Sequence, residues 1–185
     1  TFIHSGITSL LNTVYNQSDV VIVICDNRTT AMTGMQQHPA TGYTLQGART
    51  RQLDIPSLGT VLGIENVRVI NPLDLKETRE VMKEELERKG PSLVVAQSPC
   101  ALLLKKKGGE EKPLRIDPDV CTGCKVCLGL GCPAISWRKF DAETEKTFKK
   151  KTKKQEGIAV IDRDLCNGCT LCSQVCKFKA VEEAK

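Results

Sequence analysis

Apolar residues in the first hundred positions follow two rhythms. Ile7, Leu10, Leu11, Val14 and Tyr15 recur at helical spacing and predict an amphipathic helix. Val20-Val-Ile-Val-Ile-Cys25 is a continuous, mostly β-branched run, the pattern of a strand buried on both faces of a parallel sheet. Asn66-Val-Arg-Val-Ile70 and Ser92-Leu-Val-Val-Ala96 are two further strand candidates. Between those two lies a helix whose start is marked by Asp74 and Glu77 at capping-box spacing and whose end is marked by Gly90. Strand, helix and strand at these intervals make a βαβ unit. From Thr29 to Gly59 the chain is rich in Thr, Gly, Gln and Pro and has little periodicity. A long polar loop after a buried strand is where α/β proteins usually bind ligands.

The pattern changes near Lys105. Residues 105–113 begin with a charged, glycine-containing stretch, Lys105-Lys-Lys-Gly-Gly-Glu-Glu-Lys112, and predict a linker between a first domain, residues 1–104, and a second, residues 114–185. The second domain repeats itself. Leu114-Arg-Ile-Asp-Pro-Asp-Val-Cys121-Thr-Gly-Cys124 is echoed by Ile158-Ala-Val-Ile-Asp-Arg-Asp-Leu-Cys166-Asn-Gly-Cys169. Each copy predicts a short strand, an acidic turn, a cysteine loop and the start of a helix. Lys139 to Glu156, which separates the copies, is a charged hairpin or loop that contains Lys149-Lys-Lys-Thr-Lys-Lys154. It reads first as a solvated excursion, the alternative being a docking surface for an acidic partner.

Ten cysteines in 185 residues would fit a secreted disulfide scaffold if they were spread along the chain. Eight instead lie between Cys121 and Cys176 in two tight groups, which gather thiolates around metal and imply a reducing interior, hence a cytoplasmic protein. The other two, Cys25 and Cys100, are expected to be buried as small hydrophobes. The first group is C-x2-C-x2-C-x4-C-P (Cys121, Cys124, Cys127, Cys132, Pro133); the second is C-x2-C-x2-C-x3-C (Cys166, Cys169, Cys172, Cys176). Zinc ribbons pair two C-x2-C knuckles and do not run three cysteines at successive x2 spacing, so two 4Fe–4S clusters are preferred to two zinc ions. In two-cluster ferredoxins the fourth cysteine of each run serves the other cluster. Carried over, Cys121, Cys124, Cys127 and Cys176 hold one cluster, and Cys166, Cys169, Cys172 and Cys132 the other. The x4 spacing before Cys132 and Lys177 in place of a proline depart from the bacterial run without removing a thiolate. Gly123 and Gly168 are expected to let backbone amides approach the sulfides.

Charge alters this picture little. Residues 1–104 carry nine Lys and Arg against ten Asp and Glu, whereas residues 105–185 carry eighteen against twelve. A basic half suggests nucleic acid, but each four-thiolate cluster adds about −2, so much of the excess compensates bound metal and no nucleic-acid partner is expected. No apolar stretch reaches the roughly 18 residues of a membrane span, no signal peptide follows Thr1, and no G-x-G-x-x-G follows a strand to offer a dinucleotide site.

The strings TFIHSGI, DNRTTAMTG and HPATG, followed by the twin cysteine groups, resemble the indolepyruvate ferredoxin oxidoreductase alpha-subunit family. That family belongs to the thiamine-diphosphate-dependent 2-oxoacid:ferredoxin oxidoreductases. The resemblance implies a partial α/β parallel-sheet thiamine-diphosphate-binding domain followed by an α+β ferredoxin-like module with two 4Fe–4S clusters. It implies that Asn27 gives Mg²⁺ a side-chain oxygen and Thr29 a backbone carbonyl, suiting a hard, octahedral ion. Thr30 and Thr33 lie along the cofactor, and Thr1 meets its diphosphate. His4 and His38 are candidate catalytic contacts near the reacting carbonyl, and Met35 stands where relatives carry a polar residue. A Gly-Asp pair that begins the family's diphosphate site would fall before Thr1, so the chain is expected to be a fragment. The implied activity is oxidative decarboxylation of an aryl 2-oxoacid, with coenzyme A collecting the acyl group, a beta subunit completing the enzyme and ferredoxin taking the electrons. The alternatives are another 2-oxoacid, or an electron-transfer subunit whose thiamine half is degenerate.

Overall fold

The computed structural model describes residues 2–106 and 112–184. Thr1 and residues 107–111, which include most of the expected linker, lie outside the described residues. The chain forms two compact units, residues 1–109 and 110–185, and each is taken by itself.

In the first unit, β1 (Val21–Asp26), β2 (Asn66–Ile70) and β3 (Ser92–Gln97) form a parallel sheet of order β1-β3-β2. The register sets Ile24 beside Val95 and Val95 beside Val69. One face packs Leu10 of α1 (Ile7–Tyr15), Ala40 and Ile55 of α2 (Ile55–Val61) against Ile24, Leu93 and Val95. The opposite face packs Val81 of α3 (Leu75–Glu87) against Ile70, Val94 and Ala96. Burying each such aliphatic side chain contributes about 1.5–3 kcal/mol. A short helix, α4 (Ala101–Lys106), follows β3 and takes in the first two residues of the expected linker.

Four expectations need correction. Among the described residues β1 pairs on one side only, with β3, and is not covered on both faces: Val21 packs against the Val81 cluster, but Val23, 44 % exposed, and Cys25 on the same face are not part of it. Cys25 is therefore exposed, and Cys100 is only half-buried. Asp74 caps α3 by accepting from the N–H groups of Lys76 and Glu77 at 3.0 Å, but no capping box closes, because Glu77 accepts instead from Asn71 N–H at 3.4 Å. The polar loop ends at Asp54, which accepts from Ser57 N–H at 2.9 Å and starts α2, where Pro56 suits the first turn.

In the second unit, β4 (Leu114–Ile116) pairs antiparallel with β7 (Val181–Glu183), and β5 (Ile135–Lys139) with β6 (Gly157–Ile161). A 3₁₀ turn (Val126–Leu130) follows the first cysteine loop and α6 (Leu171–Val175) follows into the second group. The lysine-rich stretch is the excursion of the β5–β6 hairpin and contains α5 (Ala142–Thr147). The small core joins Leu114, Ala134 and Ile161 to Cys172, with Cys127, Cys132 and Cys166 packed against it. Here the cysteines are part of the core.

Gly157 fixes how closely the hairpin strands approach. A Cβ on it would stand 2.2 Å from the Arg138 carbonyl and 2.8 Å from the Trp137 ring, and backbone cannot swing aside. Gly157→Ala is expected to lower stability by about 1–3 kcal/mol, measured as a lower urea midpoint. Gly129→Ala, which meets nothing within 4 Å, is expected to leave the midpoint unchanged.

Candidate functional site

Two cavities in the second unit are each lined by four thiols. Cys121, Cys124 and Cys127 surround one together with Cys176, among Ile116, Ala159 and Val181. Cys166, Cys169 and Cys172 surround the other together with Cys132, among Leu114, Ile135 and Ile161. The structure thus brings together the same thiols that the repeat grouped, each fourth cysteine crossing to the opposite copy. The titration of the thiols reflects this. Burial pushes Cys127 upward, reinforced by Cys121, Cys124 and, more weakly, Cys176. Burial pushes Cys172 up to about 11, with Cys169, Cys166 and Cys132 adding to it. Four thiolates cannot share such a space without a cation among them.

The loops are built alike. Gly123 and Gly168 have φ of 71° and 70°, and the residues after the second cysteines, Lys125 and Thr170, have φ of 63° and 64°. A left-handed threonine is an unusual conformation held by its surroundings. Turns of this type aim successive N–H groups to one side and favour an anion. A Cβ at Gly123 would meet the Gly157 carbonyl at 2.6 Å, and one at Gly168 the Lys112 carbonyl at 2.6 Å. So the glycines admit neighbouring backbone as well as freeing the turn. Backbone N–H groups also reach sulfur: Leu114 donates to Cys166 Sγ and Ala180 to Cys176 Sγ, both at 3.3 Å. Thr122 Oγ1, on the first cavity, is buried without a hydrogen-bond partner. An apolar space ringed by four thiols, with N–H groups on the sulfurs and a spare hydroxyl, fits an iron–sulfur cluster. Among the described residues no three His, Cys, Asp or Glu converge tightly enough for a single metal ion.

The other candidate site lies at the carboxyl end of β1, where α/β sheets place ligands. Asp26 is buried there; it accepts from Arg28 N–H at 3.0 Å and pairs with Arg28 Nε at 3.2 Å. These contacts hold Arg28 at φ 61° and turn the chain sharply. Asn27 Oδ1 accepts from Thr29 N–H at 3.3 Å, and the Asn27 carbonyl accepts from Cys100 N–H at 3.0 Å. Thr29 is buried, and its hydroxyl reaches the Gln36 carbonyl at 3.4 Å. Thr30 N–H donates to the same carbonyl at 3.1 Å, and the exposed Thr33 hydroxyl meets Gln36 Oε1 at 2.6 Å. Gln36 therefore closes the whole Thr29–Thr33 loop. The Thr29 carbonyl accepts no hydrogen bond among the described residues, so its lone pairs are open to a cation. Thr1 lies outside the described residues.

His38 has a structural task. Its Nδ1 accepts from Ala40 N–H at 3.2 Å and caps the 3₁₀ turn Pro39–Thr41, which leaves Nε2 as its remaining polar atom. Burial lowers its pKa from 6.5, Asp26 opposes that, and a charge on His4 adds to it. His4, exposed in the Phe2–Gly6 turn, is thus close enough to His38 to be felt. Sequence reasoning missed Asp26, whose signal was a lone carboxylate ending an apolar run. It also missed Gln36 and Gln155, polar residues in polar stretches that carry no such signal.

The chain belongs to the thiamine pyrophosphate enzymes, since the family described as "Thiamine pyrophosphate enzyme, C-terminal TPP binding domain" matches residues 1–96. A second family, "4Fe-4S binding domain", matches residues 159–182, which cover the second cysteine group. Over its whole length the chain is 41 % identical to indolepyruvate oxidoreductase subunit IorA of Pyrococcus horikoshii and 42 % identical to that of Pyrococcus abyssi. The protein of the same name from Archaeoglobus fulgidus is 35 % identical. The chain spans 27 % of the length of each of these relatives. Among the described residues no helix is long and apolar enough to cross a membrane.

His38 is neutral when it caps its turn, and the unfolded chain binds its proton more readily. Stability therefore rises with pH through the region just below 6.5 and is lost on acidification. Melting temperatures measured between pH 7.5 and 5.5 should fall more for the native chain than for His38→Asn, which caps without titrating. Equal slopes would remove His38 from the account.

Proposed function

We propose that this chain is the cofactor-binding and electron-exporting part of an indolepyruvate-type 2-oxoacid:ferredoxin oxidoreductase of the cytoplasm. The single observation that carries the proposal is the pairing, in one chain, of a thiamine-enzyme sheet with two cavities of four thiols each. Thiamine diphosphate, when bound, supplies the carbon nucleophile that adds to a 2-oxo group and lets CO2 leave. The chain's own residues position it. Asn27 Oδ1, oriented by the Thr29 N–H, and the free Thr29 carbonyl face the same turn and suit Mg²⁺ beside a diphosphate. Asp26, paired with Arg28, keeps the turn shut. Thr30 and Thr33, tied by Gln36, line the approach, and His4 and His38 are the candidates to offer hydrogen bonds to substrate. A neutral His38 with its proton on Nε2 can donate one.

In the second unit, Cys121, Cys124, Cys127 and Cys176 hold one 4Fe–4S cluster and Cys166, Cys169, Cys172 and Cys132 the other. Two one-electron carriers suit a reaction that releases two electrons toward a one-electron acceptor. The names of the relatives favour an arylpyruvate substrate; coenzyme A as acyl acceptor, a beta subunit and ferredoxin complete the proposal.

Two measurements on the full-length enzyme test this reading. Asn27→Leu should weaken Mg²⁺-dependent thiamine diphosphate binding at least about tenfold, seen by fluorescence titration. Unchanged affinity would remove Asn27 from the site. Cys124→Ala should leave substrate-dependent CO2 exchange largely intact while stopping ferredoxin reduction, because carbon–carbon cleavage precedes electron export. Undiminished ferredoxin reduction would remove the cysteine module from the path.

A further inference from the structure

The lysine-rich excursion between β5 and β6 is more ordered than a solvated charge run. Residues 139–154 carry seven lysines against three carboxylates. Lys139, Lys150, Lys153 and Lys154 line one polar cleft. Lys150 pairs with Glu145, whereas Lys149, Lys153 and Lys154 make no ion pair among the described residues. Glu145 and Glu156 line the same cleft, so four lysines against two carboxylates leave it net positive, an arrangement that suits a negatively charged partner.

The excursion is also clamped to one particular cysteine loop. Gln155 is 3 % exposed. Its Oε1 accepts from Lys151 N–H at 2.8 Å, and its Nε2 donates to the Cys121 carbonyl at 3.0 Å and the Gly157 carbonyl at 3.4 Å. The Phe140 and Phe148 rings, 4.5 Å apart, brace its base. Lys125, between Cys124 and Cys127, lays its ammonium 4.5 Å from the centre of the Trp137 ring on β5. The equivalent glycine of the second loop, Gly168, meets Lys112 instead. Positive charge is thus fastened beside the first cavity.

We infer that this cleft is the docking surface for an acidic iron–sulfur electron carrier, and that electrons leave the chain from the Cys121–Cys127 side. In each encounter one electron passes from the reduced cluster to the oxidised carrier, so the two electrons of one substrate turnover need two encounters. The inference rests on the electron-export reading above.

The test uses the full-length, cluster-loaded enzyme and, as probe, a strongly acidic eight-iron ferredoxin. Binding is measured by interferometry at several salt concentrations, and reoxidation of the pre-reduced enzyme is followed with ferredoxin and with a small neutral quinone. The triple variant Lys149→Glu, Lys153→Glu, Lys154→Glu should raise Kd about tenfold or more at low salt and flatten the salt dependence. Reoxidation by the quinone should be unchanged, which shows that fold and clusters persist. Affinity within about twofold of the native enzyme would overturn the docking surface. So would loss of affinity in Lys112→Glu, whose backbone lies against Gly168 of the second cysteine loop, with the triple variant unaffected. If ferredoxin fails to reoxidise even the native enzyme while the quinone succeeds, the electron-export reading falls first and takes this inference with it.

Discussion

Each cysteine-lined cavity takes its fourth thiol from the opposite repeat, and the second unit is organised around that exchange. Cys176 must cross to the loop that starts at Cys121, and Cys132 to the loop that starts at Cys166. The β4–β7 and β5–β6 pairings bring the chain ends of the repeats back to the partner loops. With strands of three to five residues, helices of five and six, and a core that includes Cys172 with Cys127, Cys132 and Cys166 packed against it, the unit has little apolar surface of its own. Under the proposed reading, filling the cavities would contribute folding free energy as well as redox chemistry. Backbone N–H groups on Cys166 and Cys176 and the unpartnered Thr122 hydroxyl are the means by which the protein tunes what it holds.

The first unit shapes its candidate site, the turn after β1, by different means. A buried carboxylate, Asp26, ends the strand and pins Arg28 in a left-handed turn; within that turn Thr29 N–H donates to Asn27 Oδ1, and Thr29 is buried. Gln36 holds the loop beyond them.

Much of this was legible in the amino-acid order. Three strands follow from β-branched runs, α1 from 3.6-residue periodicity and α3 from Asp74 at its start and Gly90 after its end, and the cysteine spacing set the eight thiols in two groups. Other features were not. The bareness of Val23 and Cys25 goes with β1 pairing on one side only among the described residues, which its apolar composition conceals. Asp54 and α2 were hidden in a stretch read as loop because Pro56, Ser57 and Gly59 look like breakers, although Pro at a helix start is favourable. Gln155, which ties the lysine excursion to Cys121 across 34 residues, makes a tertiary contact that no local pattern announces.

The account stands or falls on what fills the two cavities. Iron, acid-labile sulfide and zinc should be determined on anaerobically purified full-length protein, together with the low-temperature electron paramagnetic resonance spectrum after reduction. About eight iron and eight sulfide per chain, with the spectrum of two interacting reduced clusters, is the expected result. Stoichiometric zinc without sulfide would contradict it.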